Sequence, residues 1–514
     1  MEENKVTEEN KNEEEELKTI TLKKYVWPDE AALKEEKKKN KRLKRIAIGT
    51  VIGGILVGWF GGSLLPYSFT TSLRNAIARG TTMDSSKKIE ETLEIMESDW
   101  YFGSDVDDLD DRLVDQALTG ITTNSEDSHT QYMTKDEMES FTQSINRNYV
   151  GIGVQYTNDG NVAIIEKVYK NSPAEEAGVQ SGDIIHTVDG TDVSGMTSSE
   201  IKELVQGDAG TKVTIGFIRD GKNIALELTR AEVTSTVYGK MLDGDIAYLQ
   251  LYQFGTTTPD EVKSYLDDMT DAKGLIIDLR DNGGGYLNSV EGVASCFLEK
   301  GTMVMSQEYK NGDIVETDTG SDKYTDIKNI VILTNGNTAS ASEVLTLALK
   351  QQRDDVTIVG TTTYGKGTVQ VSKQFDDGSA IKYTTSKWTS PDGTWVNGVG
   401  ITPDEEVKLH DVFYQTFTSM EDDDSYTVDN VSSSISDAQL CLDYLGYSVD
   451  RTDGYFSSET GTALKKYKEE HNLDSNEILD KDTYDSLRSS VILDWNSSTT
   501  HDLQLQRAEE ILNG

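Results

Sequence analysis

AKGLIIDLRDNGGGYLNSVEGVASCFL occupies residues 272–298. GLIID is apolar without alternation, the pattern of a strand buried on both faces. It runs into a glycine loop at 281–285 and then into a helix. NIVILTNGNTAS (329–340) repeats the arrangement: a buried strand, a turn of small residues, then a helix with Val344, Leu345, Ala348 and Leu349 on one face. TIVGTT (357–362) supplies another strand, and GDIAYLQLYQF (244–254) one more, followed by the helix PDEVKSYLDDM. This alternation predicts an α/β core with a partly parallel sheet. Function in such sheets sits at the carboxyl ends of strands, where both small-residue turns fall.

Ser340 closes the second turn. A serine there projects from a rigid turn, next to the free N–H of Ala341 and the positive end of a helix dipole. Those are the needs of an acyl-transfer nucleophile with one arm of an oxyanion hole. ASASE (339–343) reads equally as a helix cap, with Ser340 or Ser342 capping and Glu343 completing the turn. Lys366 lies between two glycines in YGKGTVQ (364–370). Neighbours without side chains let a lysine enter a buried site, and burial lowers its pKa so that the neutral amine accepts a proton. Ser–Lys is a known form of the nucleophile–base pair. Gln370, four residues on, could accept from the Lys366 ammonium and orient it. The alternative for Lys366 is an exposed turn lysine.

Upstream, residues 85–147 read as mainly helical, and 148–233 as a compact β-rich unit with two short helices. The Gly151-Ile152-Gly153-Val154 turn, Ser172-Pro173-Ala174, Gly182-Asp183-Ile184-Ile185 and Val188-Asp189-Gly190 make this unit resemble a PDZ domain. The turn's backbone N–H groups can form a nest for a C-terminal carboxylate, and the strand beside it can pair with a peptide. Read without that pattern, the turn is a tight connection.

ASASE, GTTTYGKGTVQ (360–370), LIIDLRDNGGGYL (275–287), SPDGTWVNGVGITPD (390–404) and DSHTQYM (127–133) together resemble the carboxyl-terminal processing peptidases, or tail-specific proteases, over residues 88–408. The resemblance implies a PDZ domain inserted into a serine peptidase with a crotonase-like α/β core, and a Ser–Lys dyad assisted by Gln. On this chain those are Ser340, Lys366 and Gln370. Nucleophile and base stand 26 residues apart where the family pattern has 25, and KQQRDDV (350–356) is the loop assigned the extra residue. The resemblance also implies an oxyanion amide from the glycine loop, with Gly284 the first choice and Gly285 the second.

The chain has 90 acidic and 49 basic residues, a net charge of −41, which argues against a nucleic-acid partner. Two cysteines exclude a disulfide framework, and five scattered histidines with no HExxH pair argue against a zinc peptidase. No metal or cofactor is expected.

Residues 46–65, IAIGTVIGGILVGWFGGSLL, are uncharged and span roughly 30 Å as a helix. KEEKKKNKRLKR (34–45) precedes them, so the positive-inside rule keeps residues 1–45, a disordered tail, in the cytoplasm. A cleaved signal is the rival reading, but GGSLLPYS lacks an A-x-A site. Overlapping GxxxG pairs between Gly49 and Gly62 leave a homodimer open. After the peptidase core (234–410) come an acidic linker (411–432), a unit at 433–490 that resembles the three-helix peptidoglycan-binding domain, and a tail (491–514). Lys468 stands there where that family usually has glutamine.

The reading is a multidomain α/β protein, a single-pass membrane protein of a Gram-positive bacterium. It would be a serine endopeptidase outside the cytoplasm that selects protein or peptide substrates by their free C-termini. The alternatives are a catalytically silent PDZ adaptor between membrane and wall, and a crotonase-like acyl-CoA enzyme.

Overall fold

The computed structural model describes residues 85–123, 126–158, 162–219, 221–421, 423–497 and 501–514. The membrane segment expected at 46–65 and the tail before it lie outside the described residues. Among the described residues no helix is long and apolar enough to cross a membrane. The chain divides into two compact units, Met1–Asp110 and Asp111–Gly514. The described part of the first holds the helix Ser85–Ser98 and a short 3-10 turn, Gly103–Asp105.

The second unit is built on a six-stranded sheet. Its order is Val237–Leu242, Ile246–Leu251, Gly274–Asp278, Ile330–Thr334, Val356–Gly360 and Glu405–Glu406. The first pair is antiparallel and the rest are parallel. Gly274–Asp278 and Ile330–Thr334 are buried at every residue, as their unbroken apolar runs require. The helices Thr258–Asp268, Leu287–Ala294 and Ala341–Gln352 cover one face through Val262, Leu266, Val290, Val293, Val344 and Leu345. A second sheet contains Gln131–Met133, Ala380–Thr389, Met303–Tyr309 and Ile314–Asp318, with Thr368–Gln374 also paired to Ala380–Thr389. DSHTQYM therefore ends in a strand rather than in continuous helix.

The β-rich unit is a second layer of architecture. Its sheet runs Val154–Asn158, Ala163–Val168, Ile184–Val188, Lys212–Arg219 and Lys222–Thr229. Ile165, Ile201, Ile215, Phe217 and Leu228 fill its core. The chain enters and leaves it through one antiparallel ribbon, Asn148–Gly151 with Ala231–Thr234. It is thus an insertion, entered and left at one neck, with Lys167 and Lys170 also bonded to the core.

Residues 411–432, expected as a linker, carry structured segments among the described residues. Val412 and Met420 enter the core of the following three-helix domain, and Ser425–Tyr426 pairs with Leu479–Asp480. The apolar residues on either side of the acidic run fold. The helices of that domain are Ser433–Tyr444, Ser458–Glu470 and Lys481–Ser497. Lys468 is buried, and its ammonium bonds Asn476 Oδ1 (2.8 Å), the Ile478 carbonyl (3.0 Å) and Asp480 (3.3 Å).

The expected tail at 491–514 is corrected too. The third helix runs past 491, and Leu503–Asn513 returns as a further helix. Leu505 and Ala508 pack on the second face of the six-stranded sheet, against Ile246, Tyr248, Ile276, Val331, Leu333 and Val359. Strands buried on both faces need this cover. Cys296 and Cys441 are free and buried in separate cores, and burial pushes both thiols up to about 12.

Candidate active site

Ser340 follows the strand Ile330–Thr334 and immediately precedes the helix Ala341–Gln352. Its backbone is at φ 56°, ψ −116°. A non-glycine residue there costs on the order of 1–3 kcal/mol and persists only where its surroundings fix it. The fixing bonds are visible. The Ser340 N–H donates to Glu343 (2.8 Å), and the Ala339 N–H donates to the Asn282 carbonyl (3.0 Å). Such a strand–turn–helix elbow lifts a side chain clear of the sheet.

Glu343 is wholly buried and accepts four hydrogen bonds. Oε2 takes the N–H groups of Ser340 (2.8 Å) and Lys366 (2.9 Å). Oε1 takes the Thr363 hydroxyl (2.5 Å) and the Gly365 N–H (2.7 Å). Two indoles hold the other side of the lysine loop: Trp388 donates to the Lys366 carbonyl (2.8 Å) and Trp395 to the Gly367 carbonyl (2.9 Å). The glycines flanking Lys366 have a definite cause. A Cβ on Gly365 (φ 84°) would stand 2.7 Å from the Gly400 nitrogen, and one on Gly367 2.4 Å from the Trp395 indole nitrogen.

Ser340, Lys366 and Gln370 line one cavity of about 660 Å³, together with Gly285, Tyr286 and Lys382. Burial, and then the like charge of Lys382, hold the Lys366 ammonium below its ordinary pKa; Glu343 and Asp127 pull the other way. Gln370 lies on the strand Thr368–Gln374, just past a register shift against Ala380–Thr389. Bulges of this kind re-aim a side chain. Its amide nitrogen donates to the hydroxyls of Thr368 (3.0 Å) and Thr384 (3.1 Å), which leaves the amide oxygen as an acceptor.

The glycine loop is knitted to the Ser340 turn. Asn282, buried, donates to the Leu251 carbonyl (2.7 Å), and its own carbonyl takes Ala339 N–H and the Ser342 hydroxyl (2.9 Å). Ser342 is therefore a buried tie to the loop and not the helix cap. Gly284 (φ 108°) and Gly285 (φ 145°) both lie where glycine is favoured. The Gly284 N–H already donates to Asn282 Oδ1 (2.9 Å). The Gly285 N–H makes no hydrogen bond among the described residues, and Gly285 lines the cavity where Gly284 does not. The geometry thus reverses the order of preference between the two. The Ala341 N–H, at the first position of its helix, is likewise unbonded among the described residues.

Sequence reasoning missed the group behind Gln370. Asp127 accepts from the His129 N–H (3.0 Å), the Thr130 hydroxyl (2.5 Å) and Thr384. Thr384 in turn receives the Gln370 amide. DSHT was visible as a motif, but its target lies more than two hundred residues away. Burial and then the Lys366 charge hold the His129 imidazole below its ordinary value, with Asp127 opposing. Glu343 had a signal: a lone acid in an apolar helix.

In the β-rich unit, Ile152 is buried and its carbonyl takes the Ala174 N–H (2.8 Å). Gly151 pairs with Ala231. Gly153 (φ 82°) has no room for a Cβ, which would stand 2.2 Å from that of Ser172. Val154 opens the edge strand Val154–Asn158, which pairs with a strand on one side only; the helix Lys481–Ser497 approaches it.

Three family models match the chain: peptidase family S41 at residues 245–407, a PDZ domain at 164–219, and a peptidoglycan binding domain at 431–487. The "Carboxy-terminal processing protease CtpA" of Bacillus subtilis is 34% identical over 430 residues, covering 83% of this chain and 90% of that relative. A "Probable CtpA-like serine protease" of Staphylococcus saprophyticus is 30% identical over 482 residues, covering 92% and 95%. The solved photosystem II D1 C-terminal processing protease matches 62% of this chain and 92% of its own, at 26% identity and a TM-score of 0.34. The chain belongs to peptidase family S41. It is a serine-type carboxy-terminal processing protease that carries a PDZ domain and a peptidoglycan-binding domain.

Proposed function

We propose that this protease cleaves peptide bonds with Ser340 as nucleophile, Lys366 as base and Gln370 as the orienting third member. The observation that carries the reading is the placement of Ser340 and Lys366 in one cavity with both backbones bound to a single Glu343 oxygen. Lys366, neutral, takes the hydroxyl proton as Ser340 Oγ attacks the substrate carbonyl. The N–H groups of Ala341 and Gly285 receive the oxyanion. The Lys366 ammonium then gives its proton to the leaving amine, and water hydrolyses the acyl-enzyme.

Substrates are selected by free C-termini at the edge strand beginning at Val154, where a peptide adds as a further strand. The segment 46–65 anchors the chain in the cytoplasmic membrane of a Gram-positive bacterium, with the peptidase outside and the three-helix domain on peptidoglycan. The supports are the apolar run, its basic flank and the wall-type domain. The test uses full-length protein and an unfolded substrate with an apolar C-terminus. Ser340→Ala and Lys366→Ala should each abolish cleavage while leaving substrate binding intact; cleavage surviving either change removes that residue from the mechanism.

A further inference from the structure

Arg280 stands two residues beyond the strand Gly274–Asp278, at the root of the glycine loop. Its guanidinium is buried and both of its forks are filled. Nε and Nη2 donate to Asp278 (2.9 and 2.6 Å). Nη1 and Nη2 donate to Asp502 (both 2.8 Å), and Nη1 also to Gln504 Oε1 (3.2 Å). Asp278 is steadied in turn by the Tyr248 hydroxyl (2.7 Å) and by the Arg280 N–H (3.0 Å). The Trp495 ring lies over the guanidinium, 5.6 Å from its carbon.

Asp502 and Gln504 belong to the returning segment, far outside the 245–407 span of the peptidase family model. Asp502 also caps the helix Leu503–Asn513 by accepting the Leu505 N–H (3.0 Å), and Gln504 Nε2 donates to the Val407 carbonyl (2.7 Å). Exit and return of the chain are therefore neighbours, and the three-helix domain is an insertion between them. A carboxylate that fills one whole fork of a buried guanidinium fixes its plane and direction. Without it, Arg280 keeps its pair with Asp278, but the other fork of the guanidinium loses its acceptor in a dry site.

We propose that Asp502 is a positioning residue of the peptidase: through Arg280 it fixes the root of the glycine loop that faces Ser340. This rests on the reading of Ser340 as nucleophile and of the loop as oxyanion donor. A carboxylate from beyond the three-helix domain then acts on the loop, through Arg280 alone.

The test compares Asp502→Asn, Leu505→Ala and Ser340→Ala in the full chain, with folding followed by circular dichroism and melting. Leu505→Ala loosens the same helix without touching Arg280. At a temperature well below both melting points, Asp502→Asn should lower kcat about tenfold or more. Its KM should stay within about twofold of wild type. Leu505→Ala should lower the melting temperature and keep kcat. A folded Asp502→Asn with unchanged kcat overturns the inference, as do losses of kcat in both variants in proportion to lost stability. Should Asp502→Asn fail to fold, Gln504→Ala, which removes one contact to the guanidinium, should lower kcat in part, and unchanged kcat there overturns it equally. Turnover that survives Ser340→Ala overturns the nucleophile assignment itself. Turnover abolished by Ser340→Ala but untouched by Asp502→Asn overturns only the role of Asp502.

Discussion

Ser340 and Lys366 are joined through one atom, Oε2 of Glu343, which accepts the backbone N–H of each, at 2.8 and 2.9 Å. The elbow and the Lys366 loop thus share a reference point, and their spacing survives a 26-residue separation in sequence. Glu343→Gln would turn an amide NH₂ towards donors. We expect kcat to fall by about a hundredfold, with KM little changed. The melting temperature should also drop, since each buried donor left unpaired costs about 1–3 kcal/mol. Steady-state kinetics on folded variant protein checks this; wild-type kcat would show that the shared oxygen does not set the spacing.

The pH dependence follows from Lys382. The groups acting on Lys366 are Lys382, which lowers its pKa after burial, and Glu343 and Asp127, which raise it. Lys366, as the proposed base, works when neutral, so activity should climb as pH rises through its pKa. Lys382→Met removes a like charge from the cavity and lets that pKa rise. The ascending limb of kcat/KM against pH should move to higher pH, with the two enzymes converging at the alkaline end. A limb that stays in place, or moves to lower pH, contradicts this role.

Two of the loop glycines, Gly283 and Gly285, should differ in tolerance. A Cβ on Gly285 would meet the Phe254 carbonyl oxygen at 2.3 Å, whereas one on Gly283 meets nothing within 4 Å. Gly285→Ala is expected to lose about a hundredfold or more in kcat, the scale of a lost oxyanion donor. Gly283→Ala should fold normally and stay within about tenfold of wild type in kcat/KM. The reverse ranking would move the oxyanion donor elsewhere in the loop.

Lys167 ties the PDZ domain to the peptidase core. Its ammonium donates to Gln250 Oε1 (3.0 Å) and the Tyr252 hydroxyl (2.6 Å), beside the Tyr238 ring. Burial holds its pKa down to about 8. Below that value the ammonium is charged in both folded and unfolded chains, and the folded chain carries the full burial penalty. Between about 8 and the ordinary lysine range the folded form is neutral while the unfolded form is charged, so stability rises with pH. Lys167→Met should be more stable than wild type at neutral pH and should flatten that rise. Denaturant titrations at pH 7 and 9.5 check it; parallel changes in the two proteins would clear Lys167 of the effect.

Much of the core was legible. GLIID and IVILT announce two-sided burial, and the turns after them hold the glycine loop and Ser340. Lys366 was legible from its glycines, although the reason differs: the glycines admit the 395–400 loop rather than only clearing a path for the lysine. Long-range partners were not legible. Asp127 reaches Gln370 through Thr384, and no local pattern specifies such a pairing. Glu343 reads as a local cap partner, and its bonds to 363–366 come from tertiary folding. In the sequence the helix Leu503–Asn513 reads as a tail, because a short amphipathic segment has no meaning until its partner face is known. The clue lay elsewhere in the chain, since a strand apolar on both faces requires two covers.

The return of the chain to the sheet sets the path of mechanical load. Tension on the three-helix domain enters the core at two adjacent points, the strand Glu405–Glu406 and the segment beginning at Asp502. The first pulls along an edge strand. The second pulls on a carboxylate that grips Arg280 at the root of the glycine loop. Load on that domain would reach the glycine loop through the ion pair of Asp502 with Arg280.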